Sequence, residues 1–254
     1  MTTTRDWAKL PEIDRTPEPM DPTAMAFAAT YGALISVGAA TSPRSLQLDV
    51  GASEIGAGCD RQIAYKAHGV PAVNFRDPLR TLAGTGLHSA LAEVFTRLNH
   101  NTARYLVETA VTYRNLRGTV DLYDRATRAV VDWKSADKKK IRYIRHDGVN
   151  VSYQTQVQIY AAGLKEAGED PLKVAVVFVP FDGEISDIWA WVAPVNRQVA
   201  DDAIDRYERL TEHTPNVTPA TPSRLCPWCD HHMPGSTNLW VGCPGQDQTE
   251  GTSK

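Results

Sequence analysis

Polar and apolar residues alternate along 119–123 and again along 129–134, which is the pattern of half-buried strands. A tight turn centred between Ala126 and Thr127 would join them as a hairpin. Val120 then faces Trp133 and Leu122 faces Val131 on one side; Asp121 faces Asp132 on the other, with Lys134 two residues further along. Upstream, 105–113 alternates Tyr105, Val107, Val111 and Tyr113, with Glu108 on the opposite, more polar side. Downstream, Tyr153, Val157, Tyr160 and Leu164 recur at helical spacing and predict a helix over 152–166. The nearly continuous apolar run 173–179 predicts a central strand, and 184–192 a returning strand after the Asp182-Gly183 turn. Further helices are predicted over 196–212, over 60–66, and from Pro78 to Leu98. The last of these has an apolar stripe of Leu87, Leu91, Val94 and Leu98, with His88 beside it. Antiparallel strands followed by a crossover helix and another strand predict an α/β fold, a central mixed sheet flanked by helices.

Around this core lie weaker signals. Residues 1–22 mix acids, bases and prolines and read as disordered. Residues 24–40 are uncharged but rich in Ala, Gly and Thr, too weakly apolar for a membrane span, and read as a helix or ordered arm against the core. Pro215, Pro219 and Pro222 mark a linker to a Cys-rich tail. The expected organisation is an arm (1–44), a core domain (45–212) and the linker with its tail (213–254). A net charge of −3 gives no global nucleic-acid signal, so any such contact must use local patches. The run 137–146 offers one, with Lys138, Lys139, Lys140, Arg142 and Arg145 around Tyr143. It reads either as a phosphate track with a stacking point or as a solvated loop. The chain has no G-x-x-x-x-G-K-[ST], so it does not read as a motor.

The hairpin carries the candidate chemistry. Carboxylates directly opposed across a strand pair repel, and a hard divalent cation between them removes that penalty. Lys134 could then orient water or offset phosphate charge. A surface hairpin with solvated charges is the competing reading. His88 is either a packing histidine or a metal ligand, and Glu108 either reaches the site or is a solvated strand carboxylate. Of the four cysteines, Cys226 and Cys229 form a C-x-x-C. With no secretory signal ahead of them, that suggests metal binding or redox chemistry in the cytoplasm, with no membrane contact.

Taken in order, GTGLH (84–88), Glu108, G-x-x-D (118–121), VVDWKS (130–135) and QVQIY (156–160) resemble the RecB-like branch of the PD-(D/E)XK nucleases. One Cys before the core and three after it resemble the iron–sulfur part of that branch, which includes the CRISPR-associated Cas-four exonucleases and the AddB nuclease domain. The resemblance spans roughly Leu46 to Cys243. It implies Mg²⁺ or Mn²⁺ held by His88, Asp121, Asp132 and the Trp133 carbonyl, with Lys134 as the catalytic lysine. It implies that Gln156 and Tyr160 contact DNA and support the site. It implies a 4Fe–4S cluster on Cys59, Cys226, Cys229 and Cys243, joining the N-terminal segment to the tail. The implied activity is exonucleolytic cleavage of single-stranded DNA in recombination, repair or processing, alone, as a homo-oligomer or with a helicase or recombination partner. The last two cysteines stand further apart than is usual in the family, with His231 and His232 between them. A Zn²⁺ site on Cys226, Cys229 and a histidine is therefore the alternative, as is an endonucleolytic or non-catalytic DNA-binding module.

Overall fold

The computed structural model describes residues 21–40, 50–74, 77–100 and 102–245. Of the segment 1–22 expected to be disordered, 1–20 lie outside the described residues, as do 246–254, while Pro22 opens a helix. Five strands form one mixed sheet in the order β1 (Tyr105–Tyr113), β2 (Leu116–Asp124), β3 (Ala129–Ala136), β4 (Lys173–Pro180) and β5 (Trp189–Pro194). All neighbours are antiparallel except β3 and β4, which run parallel across a helical crossover. Helices α1 (Pro22–Ala40), α2 (Ala52–Ile55), α3 (Asp60–Ala67) and α4 (Leu79–Leu98) precede the sheet. Helices α5 (Lys138–Asp147) and α6 (Val151–Glu166) form the crossover, and α7 (Arg197–Thr211) follows β5.

The hairpin register is the expected one, with Leu122 opposite Val131 and Asp124 opposite Ala129. Its turn is pinned by Asp124, which takes a two-pronged contact from Arg104 (2.7 and 2.8 Å), the Ala126 N–H (3.0 Å) and the Thr127 hydroxyl (2.8 Å). The Arg104 contact, followed by these other hydrogen bonds, holds the Asp124 carboxyl down at about 2. Beyond Leu122 and Val131 the β2–β3 ladder stops, so Val120 and Trp133 do not pair as expected.

Helix α6 is the centre of the core. Every residue from Thr155 to Leu164 is buried, because the sheet, α2 and α7 surround it. Two glycines let it lie close to the sheet: a Cβ on Gly163 would come 3.0 Å from the Val111 Cβ, and one on Gly118 would come 2.6 Å from Tyr160 Cε1.

Three expectations need correction. The basic run 137–146 is not a loop: Asp137 caps it by accepting the Lys140 N–H at 2.6 Å, and Ile141 and Ile144 anchor it as α5. The predicted strand at 184–192 begins only at Trp189, after a short helical turn at Ile185–Asp187. Helix α1 forms, but residues 22–38 are exposed and not laid against the core. By length and composition α1 could cross a membrane, at a mean hydropathy of 1.2, as many soluble core helices could. It is apolar on all sides, so no stripe directs one face onto the sheet.

Replacing Asp124 with Ala should cost about 2 kcal/mol at neutral pH, from the lost ion pair and turn hydrogen bonds. Because this carboxyl is lowered in the fold, its contribution is complete above its unfolded value of about 3.9 and is lost as pH falls through about 2. Urea unfolding of the two proteins should therefore converge towards the acid end.

Candidate active site

Where the β2–β3 ladder ends, a side chain takes over: Asp121 Oδ2 accepts the Trp133 N–H at 2.8 Å. That bond holds the buried Asp121 across the gap between the strands. Its other oxygen lies 3.4 Å from His88 Nδ1. His88 reaches it from α4, which approaches the sheet closely: a Cβ on Gly84 would come 3.3 Å from Ser135 Oγ. The Gly-Thr-Gly sequence 84–86 lies within the helix. The inward side of α4 is His88, Leu91 and Phe95; Val94 and Leu98, expected in the stripe, are exposed. Phe95 stacks on Trp133 at 5.5 Å between ring centroids and meets Tyr105 edge-on at 5.2 Å, which fixes the helix over the site.

Glu108 is exposed, yet the structure brings its carboxylate to His88 and Asp121. The β1–β2 register places it opposite Asp121, and the pairing is interrupted there. Its φ is 44°, in the left-handed region that a glutamate seldom occupies. His88, Glu108 and Asp121 each offer a ligand atom, all within 4.8 Å of one another. This trio differs from the expected set of His88, Asp121 and Asp132. Asp132 is turned to Lys134, whose Nζ is 2.6 Å from its Oδ2.

Asp132 is only 1% exposed, and neither of its oxygens has a hydrogen bond of good geometry despite that ion pair. Burial pushes its carboxyl up, Lys134 pulls it down and Asp121 pushes it up again, with a net rise. The His88 imidazole is raised, chiefly by its contact with Asp121, against the opposing effect of burial. Behind Lys134 a buried relay holds the amine in place. Gln156 Oε1 accepts from Nζ at 3.2 Å, and the Gln156 amide donates to the Tyr160 hydroxyl at 2.9 Å. Both residues are buried, so their position supports Lys134 from behind; neither presents an open surface to DNA. Tyr153 adds a ring under Nζ at 4.9 Å.

A second set of residues meets around α3 and the tail. After α7 the tail folds back over α3. Arg61 Nε donates to the Thr218 carbonyl (2.9 Å), and Asn74 Nδ2 donates to the carbonyls of Pro227 and Cys229 (both 2.9 Å). Cys59, Cys226, Cys229 and Cys243 consequently line one cavity of about 180 Å³. The Thr221 N–H points at Cys59 Sγ (3.4 Å), the Ser223 N–H at Cys226 Sγ (3.2 Å) and the Arg61 guanidinium at Cys243 Sγ (3.7 Å). His232 also lines the cavity. His231 is buried behind it, stacked on Tyr65 at 4.5 Å.

Residues 50–233 match the PD-(D/E)XK nuclease superfamily, and the chain belongs to it. No curated protein matches it in sequence. Among solved structures it is similar to SSO0001 (14% identity, 80% of this chain and 93% of that one, TM-score 0.46). It is also similar to a phage-related exonuclease from Haemophilus somnus 129PT (14%, 62% and 80%, 0.42). A third is an alkaline exonuclease, LHK-Exo, from Laribacter hongkongensis (13%, 65% and 87%, 0.46), which has also been solved with dAMP.

Two outcomes follow from the site as built. In EDTA at about pH 8, Asp132→Asn should melt a few degrees above the parent protein, because a buried charge is removed. A raised carboxyl favours the fold at low pH and loses that advantage as pH rises through the raised value, so the difference should vanish in acid. Gly118→Ala puts a methyl into the Tyr160 ring. Displacing Tyr160 should disturb Gln156 and Lys134 and slow the nuclease reaction about 10- to 100-fold, with divalent-metal affinity unchanged by calorimetry.

Proposed function

We propose that the chain is a metal-dependent exodeoxyribonuclease that hydrolyses phosphodiester bonds at single-stranded DNA ends. The observation that carries this reading is the meeting of Asp121, Asp132 and Lys134 with His88 and Glu108 in the gap between β2 and β3. The residues fit a hard divalent cation. Asp132 is a buried carboxylate without a well-made hydrogen bond, and three further ligand groups converge beside it. Asp121, Asp132, His88 and Glu108 would hold Mg²⁺ or Mn²⁺. The Trp133 carbonyl would join them, since it shares the side of β3 on which its N–H meets Asp121. A bound cation supplies a more acidic water and a polarised phosphate. The chain's own contribution is to hold Lys134, through Gln156 and Tyr160, where its ammonium can position water and offset charge on the phosphate oxygens. The exonucleolytic and single-strand parts of the reading rest on the resemblance to the RecB-like branch and on the exposed basic face of α5. Recombination, repair or end processing is the setting this chemistry suits.

The same reading assigns a 4Fe–4S cluster to Cys59, Cys226, Cys229 and Cys243, with a structural role. The N–H groups aimed at Cys59 and Cys226 and the guanidinium beside Cys243 suit thiolate sulfur.

End-labelled linear and covalently closed circular single strands, incubated with Mn²⁺, Mg²⁺ or EDTA, test the activity. The reading expects metal-dependent loss of linear DNA only, abolished in Asp132→Ala and Lys134→Ala. Cutting of circles would make it an endonuclease, and retained binding without cleavage a non-catalytic module. Anaerobically purified protein should contain iron and sulfide and absorb in the visible. A stoichiometric zinc content would replace the cluster with the zinc alternative.

A further inference from the structure

The turn between β4 and β5 presents apolar side chains to solvent: Phe181 is 68% exposed and Ile185 84%. Single exposed apolar residues are common and mean little. This turn differs in how firmly it is fixed and in what it stands beside. The Phe181 N–H donates to the Ala136 carbonyl at the end of β3 (3.2 Å). Asp182 Oδ1 accepts the Lys138 N–H at 2.9 Å, and Lys138 Nζ lies 3.6 Å from Asp187. The turn is therefore bound both to the strand that carries Asp132 and Lys134 and to the first residue of the basic helix. In the parallel register Phe178 lies opposite Lys134, which puts Phe181 three residues on, about 10 Å along the strand. Helix α5 buries Ile141 and turns Lys139, Arg142 and Tyr143 outward, the last 58% exposed.

Cationic side chains beside exposed aromatic rings form the surface that binds single-stranded nucleic acid: phosphates follow the charge and unpaired bases stack on the rings. In a duplex interior the base faces are already stacked and offer nothing to such a ring. We propose that Phe181 is a stacking residue for an unpaired base of the strand held at the candidate active site, with Lys139 and Arg142 of α5 on the adjoining phosphates. The inference rests on the nuclease reading and adds the means by which single strands are preferred.

The test is fluorescence anisotropy in EDTA with labelled oligo(dT) and with a blunt duplex of equal length. Phe181→Ala should weaken oligo(dT) binding about 5- to 100-fold. It should leave duplex binding, melting temperature and the salt slope unchanged, because the ring carries no charge. Phe181→Trp should bind nearly as the parent does. Lys139→Ala with Arg142→Ala should instead lower the salt slope by about one to two for both DNAs. Unchanged oligo(dT) binding by Phe181→Ala, or equal losses on both DNAs, would overturn the stacking role. If Asp132-dependent cleavage survives either of those results, the nuclease reading stands without it. A parent protein that binds neither DNA would remove both.

Discussion

One carboxylate bonded to one backbone N–H organises the site. Asp121 occupies the place where β2 would have continued to pair with β3, and the Trp133 N–H is satisfied by a side chain. A buried amide must find an acceptor, so opening the hairpin without Asp121 would leave that donor unmet. The same oxygen pair turns towards His88 and sets the direction in which α4 must lie. The gap between the strands, the helix over it and the convergence of acidic groups are consequences of this single substitution of side chain for main chain.

Two carboxylates of one hairpin then go in opposite directions. Asp124, at the turn, is surrounded by donors and held low; Asp132, seven residues after the turn begins to form, is buried with one amine and pushed up. Asp132 is the more deeply buried, 1% exposed against 8%, so desolvation leads there, whereas the donors around Asp124 outweigh it. The first arrangement stabilises the fold. The second leaves a carboxylate that gains from a cation, with Lys134 restrained by the α6 relay so that it cannot wander off with the charge.

The sheet was largely legible because alternation and turn residues are local. The hairpin register at Leu122–Val131 and Asp124–Ala129 follows from where the turn sits; Asp121 and Asp132 lie beyond the paired residues, where side-chain bonds take over. Helix α5 was masked by its lysines, yet Asp137 at the cap and the Ile141–Ile144 pair carried the signal. The inward face of α4 was misjudged because Phe95 answers to Trp133 and Tyr105, rings that lie elsewhere in the sequence. Glu108 could not be assigned from alternation, since its backbone departs from the strand at that residue. Phe181 carried no signal: an apolar residue after a strand looks like the strand's end, and only the fold shows it exposed, at the start of the exposed turn 181–186.

The left-handed backbone at Glu108 has a consequence for what position 108 can tolerate. Two demands meet there and no amino acid satisfies both fully. The backbone is easiest for glycine, then for asparagine or aspartate; the trio with His88 and Asp121 asks for the reach of a glutamate. Glycine would relax the chain and forfeit the carboxylate, while aspartate would ease the torsion and fall short by a methylene. The residue present accepts a strained torsion in exchange for reach, so improvement in stability and retention of the acidic group are opposed at this one position.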